Sequence, residues 1–285
     1  MRHVVQPGPE HPQRIQWVEA RGHRLVLDLP AGKRLLDGVR EGFAAAGCAS
    51  GVVNFTGGAL GPFAYVMPAL SRTPDHAAFY SETFRPAGTT RLLTGAMTFG
   101  LRDGEPFFHC HALWTEADGK FTGGHILPDE TFVAEAFAVQ ALGIDGAAFE
   151  AQPDPETGFR LFGPVPRPAS ATQAGTRVFA MRLRPNQDFA GALESFCAVR
   201  NIKTATIHGG VGSTIAAQFD DGRLVKPFAT EIALRAGRIA PDNNGRPVAS
   251  LDIALVNYEG ETAQGRLVRG ENPVLMTVEL VLEAN

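Results

Sequence analysis

The 285-residue sequence lacks a run of apolar residues approaching the ~20 that a membrane span requires. It also lacks an N-terminal stretch with a charged start followed by an apolar core. Residues 1–17 are polar and contain proline, so no signal peptide is expected and the protein reads as cytoplasmic. Cysteine is scarce: Cys48, Cys110 and Cys197 are odd in number, far apart and set in apolar context, which points to buried free thiols rather than a disulfide framework. Positive charge is not in surplus either. With 26 Lys and Arg against 30 Asp and Glu, the net charge of −4 disfavours a partner held mainly through phosphates. The arginine pairs Arg182/Arg184 and Arg235/Arg238 read as ordinary strand-end charges. No P-loop ending follows the glycine-rich bend Thr56–Gly61, so phosphate binding is not assigned to it.

What is present is an ordinary globular composition, 44% hydrophobic and 20% charged, in a chain long for one small domain and comfortable for two. After an arm over residues 1–20, Arg24–Leu29 alternates like a half-buried strand. Lys33–Ala46 has helical spacing with Gly47 as its cap, and Gly51–Phe55 is a second strand. Residues 63–84 are irregular and aromatic, and Thr90–Phe99 and Thr131–Leu142 read as strands. A hairpin over Ala148–Phe162 precedes a proline-rich linker at residues 164–176. The order then restarts about 150 residues on. Strand Val178–Leu183, helix Asp188–Val199 capped from Asn186, and strands 203–207, 230–239, 251–255 and 273–282 answer the first set. Domains are therefore expected at 21–163 and 177–285.

The chemistry concentrates at Phe108-His109-Cys110-His111-Ala112-Leu113-Trp114, followed by a turn containing Asp118-Gly119 and by Gly123-Gly124-His125. An apolar run, Asp-Gly and a second short run predict a β-hairpin. Alternation puts His109 and His111 on one face and Cys110 on the other. His125 returns on the partner strand behind two glycines that admit close backbone approach. Three imidazoles can so converge on one point, the facial set that catalytic zinc sites use with one position open. Histidines facing solvent would produce the same string.

This stretch resembles the bacterial and archaeal branch of the PPC domain family, whose members are also described as DNA-binding. The resemblance implies a compact α/β (α+β) domain, each copy a mixed, mainly antiparallel sheet with a packed helix. It further implies a metal, usually zinc, held by His109, His111 and His125, and assembly as a homotrimer. Two tandem copies cover nearly the whole chain, giving six domains in a pseudo-sixfold ring. In the second copy Leu251, Ile253 and Arg266 stand where the three histidines stand, so one metal per chain is expected. Nickel, iron(II), manganese and cobalt remain open to three nitrogens.

Neutral ligands leave the cation its full charge, favouring hydrolase- or lyase-type chemistry on a small polar or anionic molecule. Glu82, Glu116 and Tyr80 are the candidate acid/base groups, and Arg91 and His208 the candidate substrate contacts. The alternative is a regulatory or DNA-associated module with a structural metal. Against it, no fourth ligand lies near, because Cys110 faces away and Cys48 is distant. Asn244-Gly245-Arg246-Pro247 has the look of a minor-groove hook without its flanking basic run, and reads as a turn.

Overall fold

The computed structural model describes residues 2–170 and 175–285. Strands dominate: nineteen of them, against two α-helices and one 3₁₀ turn among the described residues. The expected balance of helix and sheet is thereby corrected to a sheet protein with few helices. Its first half comprises β1 (Ile15–Leu29), α1 (Leu35–Ala45), β2 (Ser50–Phe55), β3 (Thr90–Arg102), β4 (Glu105–Thr115), β5 (Phe121–Ile126) and β6 (Phe137–Asp145). A hairpin of β7 (Ala147–Pro153) and β8 (Arg160–Pro166) follows, so the residues expected to start the linker still pair as a strand. Linker positions 171–174 lie outside the described residues. The second half comprises β9 (Thr176–Leu183), α2 (Phe189–Val199), β10 (Ala205–Gln218), β11 (Leu224–Pro241), β12 (Pro247–Asn257), β13 (Thr262–Arg266) and β14 (Val274–Ala284).

Both halves pair their strands in one order, all antiparallel. The first runs β1–β6–β2–β3–β4–β5. The second runs β9–β14–β10–β11–β12–β13. Each helix covers one face of its sheet. Leu35, Val39 and Phe43 enter one core with Phe99, Phe108 and Trp114. Phe189, Leu193 and Phe196 enter the other with Leu251, Ile253 and Leu255. Asp188 starts α2, its carboxylate accepting from the Gly191 amide at 2.7 Å, so the cap is not Asn186. Asn186 instead exchanges two hydrogen bonds with the backbone of Val4 in the N-terminal arm.

The two uncovered sheet faces meet each other. Small residues make the approach close: Ala96, Val211 and Ala233 form one contact cluster, and Leu113, Ala254 and Val256 another. A Cβ on Gly209 would come within 2.7 Å of Val52 across this interface. Asn54 bridges it, accepting from the Gly209 amide at 2.9 Å and donating to the Leu234 carbonyl at 3.1 Å. At the sheet edge β1 pairs with β9 from Ile15↔Leu183 to Gly22↔Thr176, so one ladder continues through both halves.

This packing corrects the alignment of the second half. Ala249, Leu251, Ile253 and Leu255 point into the α2 core as Phe108, Cys110, Ala112 and Trp114 point into the α1 core. The residues on the face equivalent to His109 and His111 are therefore Ser250 and Asp252. Arg266 remains the counterpart of His125, since Asp252↔Arg266 matches His111↔His125 in register.

Arg182 and Arg184 are also not surface charges. They are 4% and 7% exposed and both bond Asp154 in the β7–β8 turn. Burial opposes ionisation of Asp154, but the two guanidiniums outweigh it and hold its pKa below the ordinary carboxylate value. Asp154→Ala would strand two buried cations, and a loss of about 3–5 kcal/mol in chemical denaturation is expected. Because the folded pKa is depressed, this stabilisation is present above the unfolded value near ~3.9 and fades as pH falls through the folded one. The wild-type and variant melting temperatures should therefore converge below about pH 4.

Candidate metal centre

The site is built on β4. Its inward residues Phe108, Cys110, Ala112 and Trp114 lock the strand to the α1 core, which turns His109 and His111 onto the opposite face between the two sheets. The turn Glu116–Lys120 returns the chain, the Gly119 amide donating to the Glu116 carbonyl at 2.9 Å. His125 then lies directly opposite His111 on β5. Gly124 is required there because a Cβ would come within 2.5 Å of the Val66 carbonyl oxygen.

The three rings converge. His109 Nε2 is 3.1 Å from His111 Nε2, which is 3.2 Å from His125 Nδ1. The three ligand atoms all lie within 4.8 Å of one another, forming a group able to hold a metal ion. The far side of two rings fixes which nitrogen carries hydrogen. His109 Nδ1–H donates to the Glu279 carboxylate at 2.6 Å, and His111 Nδ1–H donates to the Ile232 carbonyl at 3.1 Å. Both Nε2 atoms then present lone pairs to the same space, so a proton or a cation has to sit between them. Burial, followed by the neighbouring imidazoles, holds the pKa of His111 and of His125 well below the ordinary histidine value. Neutral imidazoles aimed at one point fit a divalent metal.

The second half supplies the surroundings. Glu279 on β14 is fully buried, and its other oxygen accepts the Thr277 hydroxyl at 2.9 Å. Glu231 on β11 is 5% exposed, with one oxygen 3.7 Å from His111 Nε2 and the other without a hydrogen-bond partner. Burial pushes its carboxyl well above the usual range. It stands outside the compact group of ligand atoms, on the flank of the site. Neither glutamate was a candidate from the sequence. The available signal was a single acidic residue inside an otherwise apolar strand, as in Thr230-Glu231-Ile232 and Val278-Glu279-Leu280.

Of the five other sequence candidates, Tyr80 stands at the histidines, its ring packed edge-on to His125 with centroids 5.3 Å apart. Tyr80 is 37% exposed overall, yet its hydroxyl end is enclosed. There burial, then Glu231 and Glu279, raise its pKa. Glu116 stays at the hairpin turn, where it accepts the Tyr65 hydroxyl at 2.7 Å. Glu82 lines a neighbouring surface pocket with Ser71 and Arg72, which shares Tyr80 with the cleft at the histidines but does not bring Glu82 to them. Arg91 is exposed and ion-paired with Glu135 at 2.6 Å. His208 lies within 2.7 Å of Glu283 rather than among the three imidazoles.

Two spaces adjoin the cluster. A cleft of about 520 Å³ reaches His109 and His125 and is walled by Phe79, Tyr80, Phe107 and Phe159. An inner cavity of about 50 Å³ is lined by His109, His111, Glu231, Tyr80 and Phe159 among others, with room for one or two waters.

No curated protein matches the chain. Among solved structures, a plant- and prokaryote-conserved (PPC) protein of Pyrococcus horikoshii is 20% identical, with a TM-score of 0.40 over 53% of this chain and 97% of that one. The metal-containing protein AF0104 of Archaeoglobus fulgidus is 24% identical, with a TM-score of 0.39 over 50% of this chain and 94% of that one. A protein from Ralstonia eutropha JMP134, titled as a candidate DNA-binding protein, is 14% identical, with a TM-score of 0.37 over 48% and 89%. The family model of the Plants and Prokaryotes Conserved (PCC) domain matches residues 170–284, so the half without the three histidines is similar to that family.

Proposed function

We propose that this chain is a metal-dependent enzyme acting on a small molecule, with His109, His111 and His125 as ligands and zinc as the metal. The observation that carries this reading is the pair of bare Nε2 atoms 3.1 Å apart, each set by an acceptor on its other nitrogen. A divalent metal held there supplies Lewis acidity, polarising a carbonyl or phosphoryl group and acidifying water. Glu279 keeps the His109 ring oriented and its Nδ1 protonated. The unpartnered oxygen of Glu231 is the acid/base group, able to take a proton in the inner cavity and return it to a leaving group. Tyr80 and Phe159 line both that cavity and the outer cleft. The chemistry is hydrolase or lyase type.

The shared strand order of the two halves supports a tandem duplication in which the first copy kept the ligands and the second became their outer shell. On this reading the second copy needs no metal of its own. Assembly as a trimer is part of the same proposal, and the mass of the particle in solution tests it. A DNA-associated module with a purely structural metal would require a closed ligand set. Tight DNA binding at physiological salt would overturn the enzyme reading.

Protein purified without added zinc is expected to carry about one divalent ion per chain, and His109→Ala/His111→Ala to carry almost none, by elemental analysis. Equal metal in both preparations would place the site elsewhere. Glu279→Ala should weaken metal affinity roughly 10–100-fold, as loss of a partner behind a ligating histidine does. Glu231→Gln should leave metal content unchanged while lowering turnover by roughly 10²–10⁴ on any substrate found. Metal loss in Glu231→Gln would make that residue a ligand instead.

A further inference from the structure

We propose that Arg102 is the anchor for a negatively charged group on the substrate, and that the substrate is a small carboxylate with a planar, aromatic body. The inference rests on the metal-site reading above and adds the substrate class to it.

Arg102 ends β3 at the mouth of the cleft that leads to His109 and His125. Among the described residues it forms no ion pair. Arg160, which lines the same cleft, is already paired with Asp103. The Arg102 guanidinium instead lies over the Phe107 ring, 5.1 Å from its centroid. That contact holds the planar fork at the cleft wall and leaves its N–H donors to a ligand. An arginine so placed receives a carboxylate bidentately, in a geometry that lysine does not reproduce.

The rest of the lining defines the body of the ligand. Phe79, Tyr80, Phe107, Phe159 and Phe162 line the space, and its two carboxylates are answered by other arginines, Glu130 by Arg85 and Asp129 by Arg34; the volume of about 520 Å³ is that of a small-molecule site. Rings stack on rings in offset or edge-on geometry, and the wall already contains such contacts, Tyr80 with Phe159 at 6.0 Å among them. A sugar or other polyhydroxylated body would leave its hydroxyls facing these rings unpaired. A ligand held by its charge at Arg102 and by its ring along the aromatic wall points its other end to His109 and His125. The inner cavity with Glu231 adjoins that cleft, the two sharing His109, Tyr80 and Phe159.

The test uses zinc-loaded full-length protein and three probes, benzoate, phenylacetate and 3-phenylpropionate, each paired with its neutral amide, by isothermal titration calorimetry. At least one carboxylate should bind roughly tenfold or more tightly than its amide, with affinity falling as salt is raised. Arg102→Gln should remove that preference, and Arg102→Lys should restore it only in part. Metal content should be unchanged in both, since Arg102 is exposed and touches no histidine. The same titration on His109→Ala/His111→Ala separates the two ideas. If wild type holds no metal, yet carboxylates are still preferred in an Arg102-dependent way, the substrate class stands and the metal reading falls. If metal is bound but no carboxylate outcompetes its amide, or Arg102→Gln binds as well as wild type, the anchor is wrong.

Discussion

The hydrogen bond from His109 to Glu279 is the contact on which the rest of the site depends. It joins a histidine on β4 to a carboxylate on β14, residues 170 positions apart in the chain, at 2.6 Å inside a closed interface. A carboxylate with no exposed surface is costly unless a donor or a positive charge answers it. His109 answers one oxygen and Thr277 the other. The bond also decides the direction of the lone pair on His109, and with it whether three nitrogens face a common point or scatter. Neutral imidazoles bring no charge to a divalent ion, whereas Glu231 and Glu279 bring two carboxylates to its flank. On the proposed metal reading, the first half would supply the ligands and the second half the acidic groups beside them.

That division explains why the counterpart positions in the second half are free of metal chemistry. Ser250, Asp252 and Arg266 occupy the face where the histidines would be, and Arg266 and Asp252 are taken up by Asp220 and Arg235 at the surface. Asp252 and Arg266 lie beyond the part of this face where Ala254 and Val256 pack on Leu113, and they stay exposed. Charges there stay hydrated and need no buried partner, so their pairing contributes little to stability. The covered face, by contrast, admits only groups that are satisfied on every side. On the proposed duplication, the histidine end of the face was sealed in one copy and kept its function, while the same end in the other copy relaxed to ordinary surface.

How much of this was legible in the sequence follows from how local each feature is. The histidine hairpin could be read because strand alternation and an Asp-Gly turn act within about twenty residues. The second half was aligned one residue out for a related reason. Asp103-Gly104 joins β3 to β4 in two residues, whereas residues 242–246 join β11 to β12 in five. Counting from that loop selects Leu251 and Ile253, but counting from the β12–β13 turn selects Ser250 and Asp252. A slip of one residue exchanges the two faces of a strand. Only the core contacts of Leu251 and Ile253 show which count is right. Glu231, Glu279 and the buried pair Arg182/Arg184 were out of reach because their partners come from the other half of the chain. A charged residue in an apolar strand signals that a partner exists, and only the fold says which.

The arrangement also accounts for the unequal treatment of charge around the site. Groups deep in the interface are carboxylates and neutral imidazoles, a set suited to a cation and hostile to a free anion. An anionic ligand approaching His109 and His125 would meet the buried carboxylate of Glu279 unless a cation lay between and another compensated at the entrance. Arg102 is at that entrance, on the last residue of β3, where its guanidinium lies over the Phe107 ring and stays exposed to solvent. A buried arginine would need a permanent carboxylate partner and so could not be available to a ligand. Exposure at the rim and aromatic walls behind it are therefore complementary: one selects charge at low desolvation cost, and the other excludes water from the path to the imidazoles.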